Sequence, residues 1–294
     1  MTVQVATPAA RPLAVAPEPR PRRRRLMRSR SAELGLVLVM LIVLAAVFAP
    51  LLSPFGYTDT AFDHTLQPPF WLPGGSLVHP LGTDQLGRDL WSRLVYGART
   101  SLLVGVGAVA LAGTIGVTAG VVAGYAGGWL DDLVGRAADL QLAFPPVFLA
   151  IAIMGVIGQS LLNLVLVLGL VSWVQYARVA RGSTLAIKQL EYVDAARTLG
   201  AHTARVLMRH VGPNVMPPIA AIATVSVSTM IMAEAGLSFL GLGVQPPTPA
   251  WGSMLAETRD AWAVAPWSAV FPGLAIFLTV LGINLLGSGL IGED

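Results

Sequence analysis

"EYVDAARTLGAHTARVLMRH", residues 191–210, is a charged, helix-forming stretch set between two long uncharged ones. Residues 140–177 before it and 211–233 after it contain no Asp, Glu, Lys or Arg. Within the stretch, Tyr192, Ala195, Ala196 and Leu199 share one helical face, while Glu191, Asp194 and Arg197 fall on others. Past Gly200 the pattern repeats with Ala204, Leu207, Met208 and Val211, and with His202, Arg205 and Arg209 opposite. The spacing predicts an amphipathic helix, a glycine break and a second helix that ends where Gly212-Pro213 opens the next segment. Periodicity alone fits a basic loop lying on a membrane surface equally well.

What flanks the stretch sets the fold class. The chain of 294 residues is 54% hydrophobic and 12% charged, a balance unsuited to a soluble domain. Charge-free runs cover residues 34–58, 100–130, 140–177, 211–233 and 261–292. Crossing a bilayer takes ~20 apolar residues. The 140–177 run holds 38 residues and a turn-like Gly158-Gln159-Ser160, so it is read as two spans. The expectation is an all-α membrane protein with six transmembrane helices near 34–53, 100–124, 137–157, 161–179, 213–240 and 267–290. The apolar/polar alternation of a membrane β-barrel is absent.

Lys and Arg stay preferentially on the cytoplasmic side. With the N-terminus inside, fifteen Lys and Arg residues fall on that side and four on the other: Arg88, Arg93, Arg99 and Arg259. Both termini are therefore expected in the cytoplasm, with a basic, disordered tail over 1–32 and a transmembrane domain over 33–294. The extracytoplasmic loop is expected over 54–99 and the charged cytoplasmic loop over 180–212. Arg22 to Arg25 also match a nucleic-acid patch or an export signal, but charge abutting a first span sets topology or touches anionic lipid. Membrane lipid is thus an expected partner and nucleic acid is not.

Absences narrow the chemistry. There is no cysteine, and the four histidines lack metal-site spacing, so no cofactor or metal is expected in the chain. The only lysine, Lys188, is followed by Gln189, which excludes a phosphate-binding GxxxxGK[ST] loop; no GxSxG elbow occurs. The chain is expected not to be an enzyme, and ATP with Mg, if used, must bind partner subunits.

Three further features stand out. Ala108, Ala112, Gly116, Gly120 and Gly124 put small side chains on one face of the second span, which suits close helix packing. In "GTDQLGRD", Asp84, Arg88 and Asp89 form either a self-satisfied turn or a contact for an extracytoplasmic partner. Glu234 lies inside a span, where a carboxylate is costly. It reads as an anchor near the membrane edge or, with Met232, as part of a gate or substrate path. Asp139 reads in the same two ways with less support.

"DAARTLG" (194–200) followed by "RHVGPNVMPP" (209–218) resembles the EAA loop of permease subunits of bacterial ATP-binding-cassette importers. "HPLGTDQLGRDLWSRLVYGARTSLLVG" (79–105), "AEAGLSFLGLGVQPPTPAWGSML" (233–255) and "PGLAIFLTVLGINLLGSGL" (272–290) narrow the resemblance to the second permease of the dipeptide, oligopeptide and nickel uptake group. The resemblance covers about residues 34–290. Asp194 stands where that family has the Glu of its triplet, and Ser288 and Ile291 replace an Asp and an Arg of the last helix.

The resemblance implies the six-helix type I importer permease fold in a bacterial plasma (inner) membrane, without ATPase chemistry of its own. It implies a homologous second permease, one or two cytoplasmic ATP-binding subunits, and a substrate-binding protein outside that meets Asp84, Arg88 and Asp89. Glu191, Asp194, Ala195, Ala196, Gly200, Arg205 and Pro213 are the coupling-loop residues it singles out. Peptide import by alternating access is the expected function. Import of nickel or another small solute by the same kind of system, or a secondary transporter not coupled to ATP, are the alternatives.

Overall fold

The computed structural model describes residues 30–291. The expected tail therefore lies almost wholly outside the described residues, and its last positions already belong to a helix. Eleven α-helices follow one another among the described residues, with no strand beyond an isolated bridge between Thr83 and Asp89. They are α1 (Arg30–Val47), α2 (Ala49–Leu52), α3 (Leu90–Ala126), α4 (Gly128–Leu142), α5 (Pro146–Ile157), α6 (Leu161–Ile187), α7 (Glu191–Thr198), α8 (Thr203–Val206), α9 (Gly212–Phe239), α10 (Trp251–Glu257) and α11 (Trp267–Ile291). A π-helical turn, Leu207–Val211, joins α8 to α9.

Five helical stretches are long and apolar enough to cross a membrane: α1, α3, α6, the run Thr203–Phe239 and α11. The sixth expected span, 137–157, is instead a pair, α4 and α5, bent by 87°. The cause is local. Pro145 and Pro146 follow Phe144, and Pro145 is extended (φ −60°, ψ 130°), so the helix cannot run through them. The pair makes a sixth crossing only if its two bent halves are counted as one span.

Two other expected boundaries move. The loop expected over 54–99 ends at Asp89, because α3 starts there: the Asp89 carboxylate caps it by accepting from the Ser92 N–H at 2.8 Å. The loop expected over 180–212 begins only after Ile187, the last residue of α6. At 37 residues, α3 is about 55 Å long, well beyond the ~30 Å hydrocarbon core.

The small-residue face of α3 packs on α6. A Cβ on Gly116 would lie 2.6 Å from Tyr176 Cβ, and one on Gly124 would lie 2.9 Å from the Arg181 carbonyl oxygen. Ala108 and Ala112 are fully buried in the same seam. Absent side chains thus let the two backbones approach as a larger residue would not. α1 runs antiparallel to α11, with Gly35 against Leu286 and Gly282 against Leu38, so the first and last described residues lie at one end of the bundle. The other end carries the residue 53–89 loop, the start of α3 and α10. A cavity of about 720 Å³ opens between α5, α6 and α9, floored by Ser172, Gln175, Ser226 and Met230.

Candidate functional site

At one end, residues 188–212 fold back on the bundle. Lys188, just past the end of α6, donates through Nζ to the carbonyl of Gly124 at 2.8 Å, closing the end of α3. α7 stops in a paired motif: the Gly200 N–H bonds the Arg197 carbonyl at 2.9 Å and the Ala201 N–H bonds the Ala196 carbonyl at 3.1 Å. That geometry needs a left-handed residue, and Gly200 supplies it with φ +82°. Arg197 pairs with Asp194 at 3.2 Å and lies 5.1 Å over the Tyr125 ring. Glu191, Asp194, Ala195, Arg205 and Pro213 are exposed and Ala196 is half-buried.

The buried face of this loop is the expected one only at Val211 and, in part, at Ala196 and Leu207. Val193, Val206, Val211 and Val215 are all fully buried in the main core. Tyr192, Leu199 (89% exposed) and Met208 (80%) point outward instead, joined by Leu190. A helix of eight residues completes only about two turns, too few for its sequence to specify which apolar stripe is buried. The outer face thus mixes large apolar side chains with the charges of Glu191, Asp194 and Arg205.

Deep in the bundle, Glu234 is completely buried. The Ser101 hydroxyl donates to Oε2 at 3.0 Å and the Ser238 hydroxyl donates to Oε1 at 2.7 Å. Ser101 also accepts from the Trp251 N–H at 3.4 Å, so one carboxylate ties α3, α9 and α10 together. Met232 is 57% exposed and turned away from it. The two expected path residues are therefore not brought together, and Met230 lines the cavity in place of Met232. Asp139 sits on the surface, paired with Arg178 at 3.0 Å, while Arg181 pairs with Asp131.

At the opposite end, Asp84, Arg88 and Asp89 are buried. Arg88 Nε donates to Asp84 at 2.7 Å and its Nη2 to Glu257 at 2.7 Å. Arg93 donates to Asp84 and, at 2.7 and 3.1 Å, to both oxygens of Glu257. Asp89 takes His79 Nδ1 at 3.1 Å on the oxygen that does not cap α3. The three side chains pair within the protein, as the self-satisfied reading of the turn has it, and Gln85 and Leu86 are the exposed residues of 82–89. Arg93 and Glu257 were missed. Arg93 was legible as one turn beyond Asp89 on the same helix, but Glu257, 164 residues away, carried no local signal.

Residues 116–292 match the family model described as binding-protein-dependent transport system inner membrane component. The chain belongs to that family. Residues 22–69 also match the model for the N-terminal transmembrane domain of oligopeptide transport permease C. This permease is 45% identical over 250 residues to the di/tripeptide transport system permease protein DppC of Pseudomonas aeruginosa, covering 85% of this chain and 82% of the relative. It is 42% identical over 248 residues to the dipeptide transport system permease protein DppC of Alkalihalophilus pseudofirmus, covering 84% and 80%. It is also 42% identical over 250 residues to the glutathione transport system permease protein GsiD of Pectobacterium atrosepticum, covering 85% and 81%. The permease family match takes in α4 to α11 and with them the 188–212 loop and Glu234, whereas Asp84, Arg88 and Arg93 fall between the two matched regions.

Proposed function

We propose that this permease is one of two homologous membrane subunits of an importer of short peptides, driven by ATP hydrolysis in cytoplasmic partners and supplied by a binding protein outside. In this reading the membrane is the bacterial inner membrane, both termini and the 188–212 loop are cytoplasmic, and ATP and Mg bind the partners only. Support for the cargo comes from relatives named for dipeptides, di/tripeptides and glutathione, itself a modified tripeptide.

The observation that carries the coupling role is the outward face of residues 188–212. Leu190, Tyr192, Leu199 and Met208 stand exposed among Glu191, Asp194 and Arg205, while the valines beneath fix the loop to the core. Glu191 and Asp194 alternate with the exposed Arg197, Arg205 and Arg209 around that apolar surface, and such a mixed-sign pattern suits complementary charges in a protein groove. The cavity between α5, α6 and α9 is the half-path that the second permease completes: a mainly apolar wall with one polar strip, in which Gln175 Nε2 donates to Ser226 Oγ at 2.8 Å beside Ser172.

The test is uptake of a labelled dipeptide into vesicles carrying the complete transporter. Uptake is expected only with ATP and Mg on the side of the 188–212 loop and to persist with a protonophore; loss with the protonophore alone points to an ion-driven carrier. Asp194→Lys is expected to insert normally yet lose uptake and partner association. Orientation has its own check: a cytoplasm-active reporter works after Gly292 or within 201–205 and is silent after Gln85, and the reverse pattern overturns the assignment.

A further inference from the structure

Between Asp63 and Asp84 the chain has no Asp, Glu, Lys or Arg. The tip of that segment is exposed and apolar: Phe70, Trp71 and Leu72, then Leu77 and Val78 across a Pro73-Gly74-Gly75 turn. Soluble surfaces seldom gather five such side chains at one loop tip.

Its backbone is partly self-satisfied. Leu72 N–H bonds the Pro69 carbonyl at 2.9 Å, Gly75 N–H the Leu72 carbonyl at 2.9 Å, Phe70 N–H the Pro80 carbonyl at 3.3 Å, and Val78 N–H the Ser76 hydroxyl at 3.1 Å. Pro73 has no N–H to satisfy. Four of the eight N–H groups of residues 70–78 are met within the protein, and the headgroup layer, unlike the hydrocarbon core, holds water for the rest.

The tip also touches a membrane-crossing helix. Trp71 stands edge-on to Phe271 at 6.1 Å and to Phe70 at 5.0 Å. Phe271 lies in the second turn of α11, beside the exposed row Val270, Leu274 and Phe277 that continues down the helix. The tip therefore extends the apolar surface of α11 sideways at the level where that helix begins. Tryptophan favours that level of a bilayer because its ring is apolar and its N–H is not.

We infer that residues 70–78 lie in the bilayer interface at this end of the bundle, in contact with lipid headgroups and upper acyl chains. The loop then acts as a float that fixes the height of the start of α3 and of the Arg93–Glu257 cluster relative to the membrane. The absence of formal charge on the tip selects a zwitterionic or mixed lipid surface over a charged protein partner.

The chain has no cysteine, so a spin label on Leu72→Cys, Leu77→Cys or Thr60→Cys is unique. The full chain, with the subunits that co-purify with it, is reconstituted in phosphatidylcholine vesicles, and collisions with oxygen are compared with those of a water-soluble nickel chelate. The oxygen-to-nickel ratio at positions 72 and 77 is expected several-fold above that at 60. In a Trp71→Asp background the ratio at 77 is expected to fall toward the value at 60, while the label at 60 stays unchanged, showing that the loop still folds. Ratios at 72 and 77 equal to that at 60, or labels at 72 and 77 shielded from both reagents by protein, overturn the inference.

Discussion

The hydroxyl of Ser101 on α3 donates to Glu234 on α9 at 3.0 Å, and the same oxygen receives the N–H of Trp251 at the start of α10. A single side-chain oxygen thus joins three helices that are far apart in sequence. Glu234→Gln keeps an acceptor for one serine and offers a donor to the other, so thermal stability in detergent is expected to stay near the parent. Glu234→Leu leaves both hydroxyls without their acceptor, at a cost of about 1–3 kcal/mol. A Leu variant as stable as the parent would show that the carboxylate is not what holds the three helices.

Arg93 is almost fully buried and shares Asp84 and Glu257 with Arg88. Removing one partner of a buried pair leaves the other charge uncompensated, which costs about 3–5 kcal/mol. Glu257→Ala is expected near the lower figure, since Asp84 remains. The double variant Arg93→Met, Glu257→Ala is expected to recover part of the loss, read as the melting temperature of the reconstituted chain. No recovery would mean that the cluster is not the source of the effect.

A Cβ on Gly200 would meet nothing within 4 Å, so a substitution there is felt only through the backbone. A left-handed conformation costs a side chain about 1–2 kcal/mol, least for Asn and most for β-branched residues. Peptide uptake is expected to rank Gly above Asn above Val, with membrane insertion unchanged. Equal uptake by Gly200→Val would show that the α7 terminus tolerates another geometry.

A Cβ on Gly120 would lie 2.9 Å from Ala180 Cβ and press on the Ala177 carbonyl, whereas one on Gly113 finds its nearest neighbour, Tyr176, at 3.9 Å. Gly120→Ala is expected to cost about 1–3 kcal/mol by overpacking and Gly113→Ala almost nothing. Comparable melting points for the two would contradict the close seam between α3 and α6.

The helical bundle was legible because charge-free runs and the Ala/Gly row on α3 carry their own physics: lipid asks for length, and close packing asks for missing side chains. The bend between α4 and α5 was missed because the span was drawn from the absence of charge, which says nothing about Pro145-Pro146. The left-handed turn at Gly200 was readable from the residue itself. Which side of α7 is buried was not, because Val193 is chosen by neighbours at 206, 211 and 215 that only the tertiary fold brings beneath it. The ionic cluster was half visible for the same reason: Asp84, Arg88 and Asp89 announce a turn, but burial comes from Glu257.

The stretch Thr203–Phe239 is one continuous helical rod about 55 Å long. It behaves as a lever with its handle in the 188–212 loop and its far tip just beyond Glu234. Two places along it are compliant: the π turn at Leu207–Val211, which carries an extra residue and is followed by Pro213, and Pro217-Pro218, which lack the N–H groups of two helical bonds. Both lie in the near half. If the 188–212 loop couples to an ATPase as proposed, a pull there bends the rod close to its grip and carries the remaining turns as a stiff unit toward the Glu234 knot, with the angle at Pro217-Pro218 setting how much of the stroke arrives.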